Sequence, residues 1–267
     1  MSDLTPEQQA LKEAYVKARG YWRPWTEGLL RLDPVFLEAY GKYGGYAAEK
    51  GPLSRKMCEL IYVALDGSAT HLFRPGLALH LRLALQEGAT AREIIDVFRL
   101  ATMQGLDGCN VGIGILAEEL ANAGLQPDHF ELTKEQLALR EAYVAQFGDW
   151  PDFCEQWLRS DPGYFAALLD LLADRSAGDG LDLRSQCLIS LALNACFTAL
   201  NPQGQRVQIR RALRLGIEQR EIRQVLQMAA HLGVHACAIG VPVLMEALEE
   251  RAAKAGAGEG AGEGGPE

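Results

Sequence analysis

Glu59, His71, Arg74 and His80 crowd one stretch of the chain, CELIYVALDGSATHLFRPGLALHLR at residues 58–82. Glu59 stands beside Leu60 and Ile61 on a strongly apolar segment, where an unpartnered ionised carboxylate would be costly. His80 lies behind Pro75-Gly76, read here as a turn, so two adjacent helices can present Glu59 and His80 to one another. A half-buried glutamate and a histidine facing one cleft form an acid/base pair. Arg74, in the same loop as His71, can anchor a substrate carboxylate, with Arg55 or Lys56 in reserve. Two other readings stay open at this point. Glu59, His71 and His80 also make up a two-histidine, one-carboxylate metal set, and a satisfied core histidine beside an incidental glutamate would look the same.

An internal duplication sharpens the choice. Shifting the sequence by 128 residues lays TPEQQALKEAYVKARGYW (5–22) over TKEQLALREAYVAQFGDW (133–150), and ALQEGATAREI (84–94) over ALRLGIEQREI (212–222), without a gap. A residue present in both copies, such as Trp22/Trp150 or Glu93/Glu221, most simply serves the shared fold. Glu59 falls on Cys187, His71 on Ala199, Arg74 on Pro202 and His80 on Gln208, so the whole set is confined to the first copy. The second copy has its own histidines, His231 and His235, in MAAHLGVHACAIGVP, over Met103 and Asp107. Four residues apart on a helix, they would share one face, and core packing, a secondary site and completion of the first copy's pocket all stay open.

The elements that must position these groups all read as helices. Thr5-Pro6-Glu7-Gln8, Thr133-Lys134-Glu135-Gln136 and Thr90-Ala91-Arg92-Glu93 are capping boxes, and Asp33-Pro34 and Asp161-Pro162 are cap-plus-proline starts. Gly88 and Gly216 stop helices, and no alternating segments bounded by turn signals suggest strands. The expected fold is all-α, with about six helices per repeat. Residues 1–125 form a domain with an intact site, 126–252 a domain with a degenerate one, and 253–267 a disordered Gly/Ala/Glu tail. Gly105/Gly233 and Gly112/Gly240 lie in apolar helical runs, where close helix–helix approach would compensate their low propensity.

Six cysteines without a CxxC spacing read as buried, reduced thiols rather than a redox or zinc centre. A net charge of -9 disfavours nucleic acid and anionic membrane as partners. The start MSDLTPEQQALKEAY has no signal-peptide pattern, and the longest apolar run, LISLALNACFTAL (188–200), falls short of a bilayer span. A soluble, cytoplasmic protein is expected.

ELI (59–61) followed by HLRLALQEGATAREI (80–94) and Gly105 resembles the carboxymuconolactone decarboxylase superfamily, which includes the alkylhydroperoxidase D type. The resemblance implies two tandem helical domains of that family and a homotrimer, a pseudo-hexamer of domains. It places the family's acid/base glutamate on Glu59 and its active-site histidine on His80. The peroxidase branch needs cysteines four and seven positions before that histidine, where this chain has Gly76 and Phe73. The implied activity is therefore a cofactor-independent lyase acting on a small unsaturated or lactone carboxylic acid, with His71 and Arg74 at the substrate. A binding scaffold without dithiol activity and a metal-dependent enzyme are the alternatives.

Overall fold

A computed structural model describes residues 3–125, 131–173 and 178–259. Every regular element among them is helical, and the helices repeat with the sequence. The first copy contains α1 (Pro6–Arg19), α2 (Pro24–Leu32), α3 (Pro34–Lys50), α4 (Arg55–Asp66), α5 (Arg74–Gln86), α6 (Ala91–Thr102) and α7 (Gly105–Asn122). The second contains α8 (Lys134–Phe147), α9 (Asp152–Ser160), α10 (Pro162–Leu172), α11 (Leu183–Ala195), α12 (Pro202–Arg214), α13 (Gln219–Ala229) and α14 (His235–Glu259). Both ends of α1, α2 and α5 are displaced by 128 residues in α8, α9 and α12.

Local chemistry explains these boundaries. The three capping boxes form, each with the threonine hydroxyl accepting from the N3 amide and the N3 side chain accepting from the cap amide. Asp33 and Asp161 cap α3 and α10 ahead of their prolines. Gly88 and Gly216 take the left-handed conformation, φ +84° and +68°, just past α5 and α12. Tertiary contacts are duplicated too. Gln8 donates to the Leu30 carbonyl as Gln136 does to that of Leu158, and the indole N–H groups of Trp22 and Trp150 donate to Glu27 and Glu155.

The chain does not divide at the repeat junction. One compact unit comprises residues 1–51 and 230–267, the other residues 52–229. The reason is an exchange of terminal helices. In the first unit α14, from the second repeat, packs on α2, where Val241 joins the cluster of Tyr15, Trp25, Leu29, Leu30 and Leu37. In the second unit α7, from the first repeat, packs on α9, the counterpart of α2. The expected boundary near residue 125 therefore separates the repeats in sequence but not the packed bodies.

At the centre of the second unit α4 packs against its counterpart α11. From Met57 to Asp66 only Tyr62 of α4 escapes burial, and Cys187–Ile189 and Leu191–Leu193 of α11 are buried likewise. Thr70 and its counterpart Thr198 hydrogen-bond to each other at 2.9 Å, so equivalent groups of the two repeats meet there.

Four details differ from the sequence reading. α14 continues through residues 253–259, so helix extends into the expected tail, and 260–267 lie outside the described residues. His231 and His235 do not share one α-helix, because a 3₁₀ turn at Ala230–Val234 separates α13 from α14. A Cβ at Gly105, Gly112, Gly233 or Gly240 would meet nothing within 4 Å, so no neighbouring helix among the described residues accounts for these glycines. By length and composition, Gln219–Ala255 could cross a membrane, although no single apolar run suggested it. Both halves of that stretch have protein partners: the Gln224 amide accepts from Leu53 N–H, and Val241 is in a core cluster.

Candidate active site

Ser54 caps α4 and sets its register, directing Glu59 inward among Cys58, Leu60 and Ile61. α5 begins at Arg74, so Pro75 and Gly76 lie within its first turn instead of forming a turn before it. His80 follows one turn later. The α4–α5 pair brings the two side chains together, with Glu59 Oε2 2.7 Å from His80 Nδ1. A carboxylate at Glu59 would only accept, which makes His80 the donor through Nδ1–H and leaves its Nε2 for chemistry. Tyr62 stacks on the imidazole, with centroids 4.6 Å apart and planes at 29°, which fixes the ring.

Asp66, the last residue of α4, lies on the other side of that ring and was not singled out from the sequence. Its Oδ2 is 3.9 Å from His80 Nε2, too long for a direct hydrogen bond. Burial at 2% exposure pushes its pKa up to about 7, with the His80 charge opposing the shift. His80 thus has a buried carboxyl group near each ring nitrogen, one hydrogen-bonded to Nδ1 and one 3.9 Å from Nε2. Gly76 makes room for this arrangement. A Cβ there would collide with Asp66 Oδ2 and lie 2.8 Å from Asp66 Cγ and Phe73 Cδ1. A sequence signal existed, since Asp66 pairs with Asn194 across the duplication, but an acid-to-amide exchange at a helix end draws no notice.

The other predicted residues are less closely tied to the pair. His71 follows a turn closed by its N–H to Ser68 O, and burial lowers its pKa. Its ring lies 5.9 Å from that of Phe73. Arg74 is exposed, and its guanidinium has no ion-pair partner among the described residues. Lys56 is held by Glu93 at 2.8 Å and Arg55 approaches Glu87 at 3.9 Å. Glu59, His71 and His80 do not bring three donor atoms within 4.8 Å of one another, so the alternative metal set does not assemble.

His231 is packed in the first unit, edge-on to Tyr43 at 5.4 Å, and burial pushes its pKa down to about 4, with Arg19 adding to the effect. His235 starts the next helix and is half-buried. All six cysteines are free, and burial raises Cys58 and Cys187 to about 11 and Cys154 to about 12, which makes them poor nucleophiles.

A cavity of about 670 Å³ lies not at Glu59 and His80 but at the matching place in the second repeat.

Comparison with known proteins agrees with this architecture. Residues 34–109 match the carboxymuconolactone decarboxylase family. A crystal structure from Burkholderia xenovorans LB400, of a protein provisionally described as a gamma-carboxymuconolactone decarboxylase subunit, superposes with a TM-score of 0.86. It is 31% identical, and the match covers 92% of this chain and 99% of that one. No protein of curated function matches.

Proposed function

The chain belongs to the carboxymuconolactone decarboxylase family, and from that premise we propose that its first repeat is a cofactor-independent carboxy-lyase for a small unsaturated or lactone carboxylic acid. The observation that carries the proposal is the buried 2.7 Å hydrogen bond between Glu59 and His80, present in one repeat and absent from the other. In the reaction the bond to the carboxyl carbon breaks and carbon dioxide leaves. The bonding pair moves into the conjugated lactone, and His80 protonates the carbon that lost the carboxyl group. Glu59 holds the ring and stabilises its charged form, Asp66 supplies a proton reserve, and water restores the proton. Arg74 and His71 receive the substrate's second polar end.

Carbon dioxide release and ultraviolet absorbance change with 4-carboxymuconolactone test this reading without added metal or thiol. Glu59→Gln and His80→Ala should each lose about 10²–10⁴-fold in turnover, the span of acid–base contributions. Full activity in either variant would refute it.

We also propose a homotrimer. The supporting observation is a pair of matching exposed apolar triads, Val111, Ile115 and Leu116 on α7 and Ile239, Val243 and Leu244 on α14, beside the glycines that meet nothing. Sedimentation should give three chains per particle, and Ile115→Lys with Val243→Lys should give fewer. A wild-type monomer would overturn the assignment.

A further inference from the structure

The cavity of the second repeat occupies the place that the Glu59–His80 site occupies in the first, and several counterpart residues line it. Where the first repeat has Tyr62, His71 and Phe73, the second has Ser190, Ala199 and Asn201. Three large rings are replaced by small side chains, and the space is open at about 670 Å³, well within the range of small-molecule sites. Leu106, Tyr143, Phe147, Leu168 and Leu193 give it apolar walls.

Many polar side chains share the wall, and two of them, Gln208 and Arg211, stand out. Gln208, the counterpart of His80, has a buried Oε1 with no hydrogen-bond partner among the described residues. A buried carbonyl oxygen of this kind favours a ligand that brings a donor. Arg211, three residues on and so on the same face of α12, lines the cavity without an ion-pair partner among the described residues. Its counterpart in the first repeat is Leu83, so the cation is peculiar to this site. Arg99, the other guanidinium on the wall, is held by Asp96 at 3.1 Å. Asp107 is bonded to Asn201, and burial raises its pKa, which limits the negative charge facing a ligand.

We infer that this cavity is a second ligand site, separate from the Glu59–His80 centre, for a small aromatic acid bearing one carboxylate and one hydroxyl. The carboxylate pairs with Arg211, the hydroxyl donates to Gln208 Oε1, and the ring lies among Tyr143, Phe147 and the leucines. With an amide in place of the histidine and Cys187 in place of the glutamate, the site binds its ligand without converting it.

The probe is 4-hydroxybenzoate, titrated calorimetrically into full-length Glu59→Gln protein, with benzoate and 4-hydroxybenzyl alcohol as the analogues lacking one group each. A binding event is expected that both analogues weaken at least tenfold. Arg211→Leu should weaken it at least tenfold and Asn201→Phe should abolish it. Both introduce the side chain found at the matching place in the first repeat, and circular dichroism checks the fold. Absence of binding to the parent, or undiminished binding to both variants, would overturn the inference. The readout is the event removed by second-repeat substitutions in protein already lacking Glu59, so failure here and failure of the lyase reading are separately visible.

Discussion

Asp66→Asn isolates the buried acid beside His80. An aspartic acid whose pKa is about 7 in the fold, against 3.8 ordinarily, keeps its proton in the folded state over a range where the unfolded chain has lost it. Stability from this group is therefore present at low pH and declines as pH rises from about 4 to about 7, at about 1.4 kcal/mol per pH unit. Complete ionisation costs the fold about 4 kcal/mol, and between pH 5 and pH 8 about 3 kcal/mol of that loss falls due. Asparagine never ionises, and the second repeat already places Asn194 at the matching position with its amide donating to Ser190 O. The variant should therefore fit the site. Urea unfolding at pH 5 and pH 8 is the assay. Because every other carboxyl contributes equally to both proteins, the difference between variant and wild type should shift by about 3 kcal/mol in the variant's favour at the higher pH. Turnover should fall, since the group that stores the proton is also the one that costs stability. Parallel pH dependence in the two proteins would refute the reasoning.

Gly76→Ala should destabilise by about 1–3 kcal/mol in thermal or urea unfolding and lower turnover, because the new methyl displaces Asp66 or Phe73. His231 behaves oppositely to Asp66: its pKa is about 4, below the ordinary 6.5, so stability is lost as pH falls between those values. His231→Phe should reduce that acid-side loss by about 3 kcal/mol, measured by unfolding at pH 7 and pH 4. A fragment of residues 1–125 should fail to give a soluble, cooperatively unfolding monomer by gel filtration and thermal melts, since it lacks the α14 that covers α2.

The helices were legible because the signals that start and stop them are local. Thr90 and Glu93 satisfy each other's backbone partners within one turn, whatever that turn packs against. Glu59 and His80 were legible because the duplication supplies its own control, and their contact needs only two adjacent helices. Asp66 was not, since its pKa comes from the burial of the end of α4, a tertiary property with no sequence spacing. The histidine pair misled for the reverse reason. Spacing of four implies one helical face only if the helix is continuous, and the turn at Ala230–Val234 interrupts it. The second-repeat cavity escaped because it is made by side chains that are small, and a pattern search weighs the groups that are present.

The helix exchange explains which residues diverged between the copies and which did not. α2 buries Trp25 and Leu29 against a cluster that includes Val241, and Gly28 lets α14 approach so closely that a Cβ there would collide with Val241. The first copy therefore depends on a helix encoded by the second, and α9 likewise packs on α7, encoded by the first. Neither copy can be lost while the other keeps its fold. Under that constraint the framework contacts are held in both copies, as the pairs Gln8–Leu30 and Gln136–Leu158, or Trp22–Glu27 and Trp150–Glu155, illustrate. The α4–α5 and α11–α12 sites carry no such obligation beyond filling their space. One could keep a carboxylate–histidine pair at the cost of burying Glu59 and Asp66, while the other replaced each of these acids with a neutral group. The absence of these acids and of the histidine from the second repeat, and the retention of its helices, thus have one physical cause.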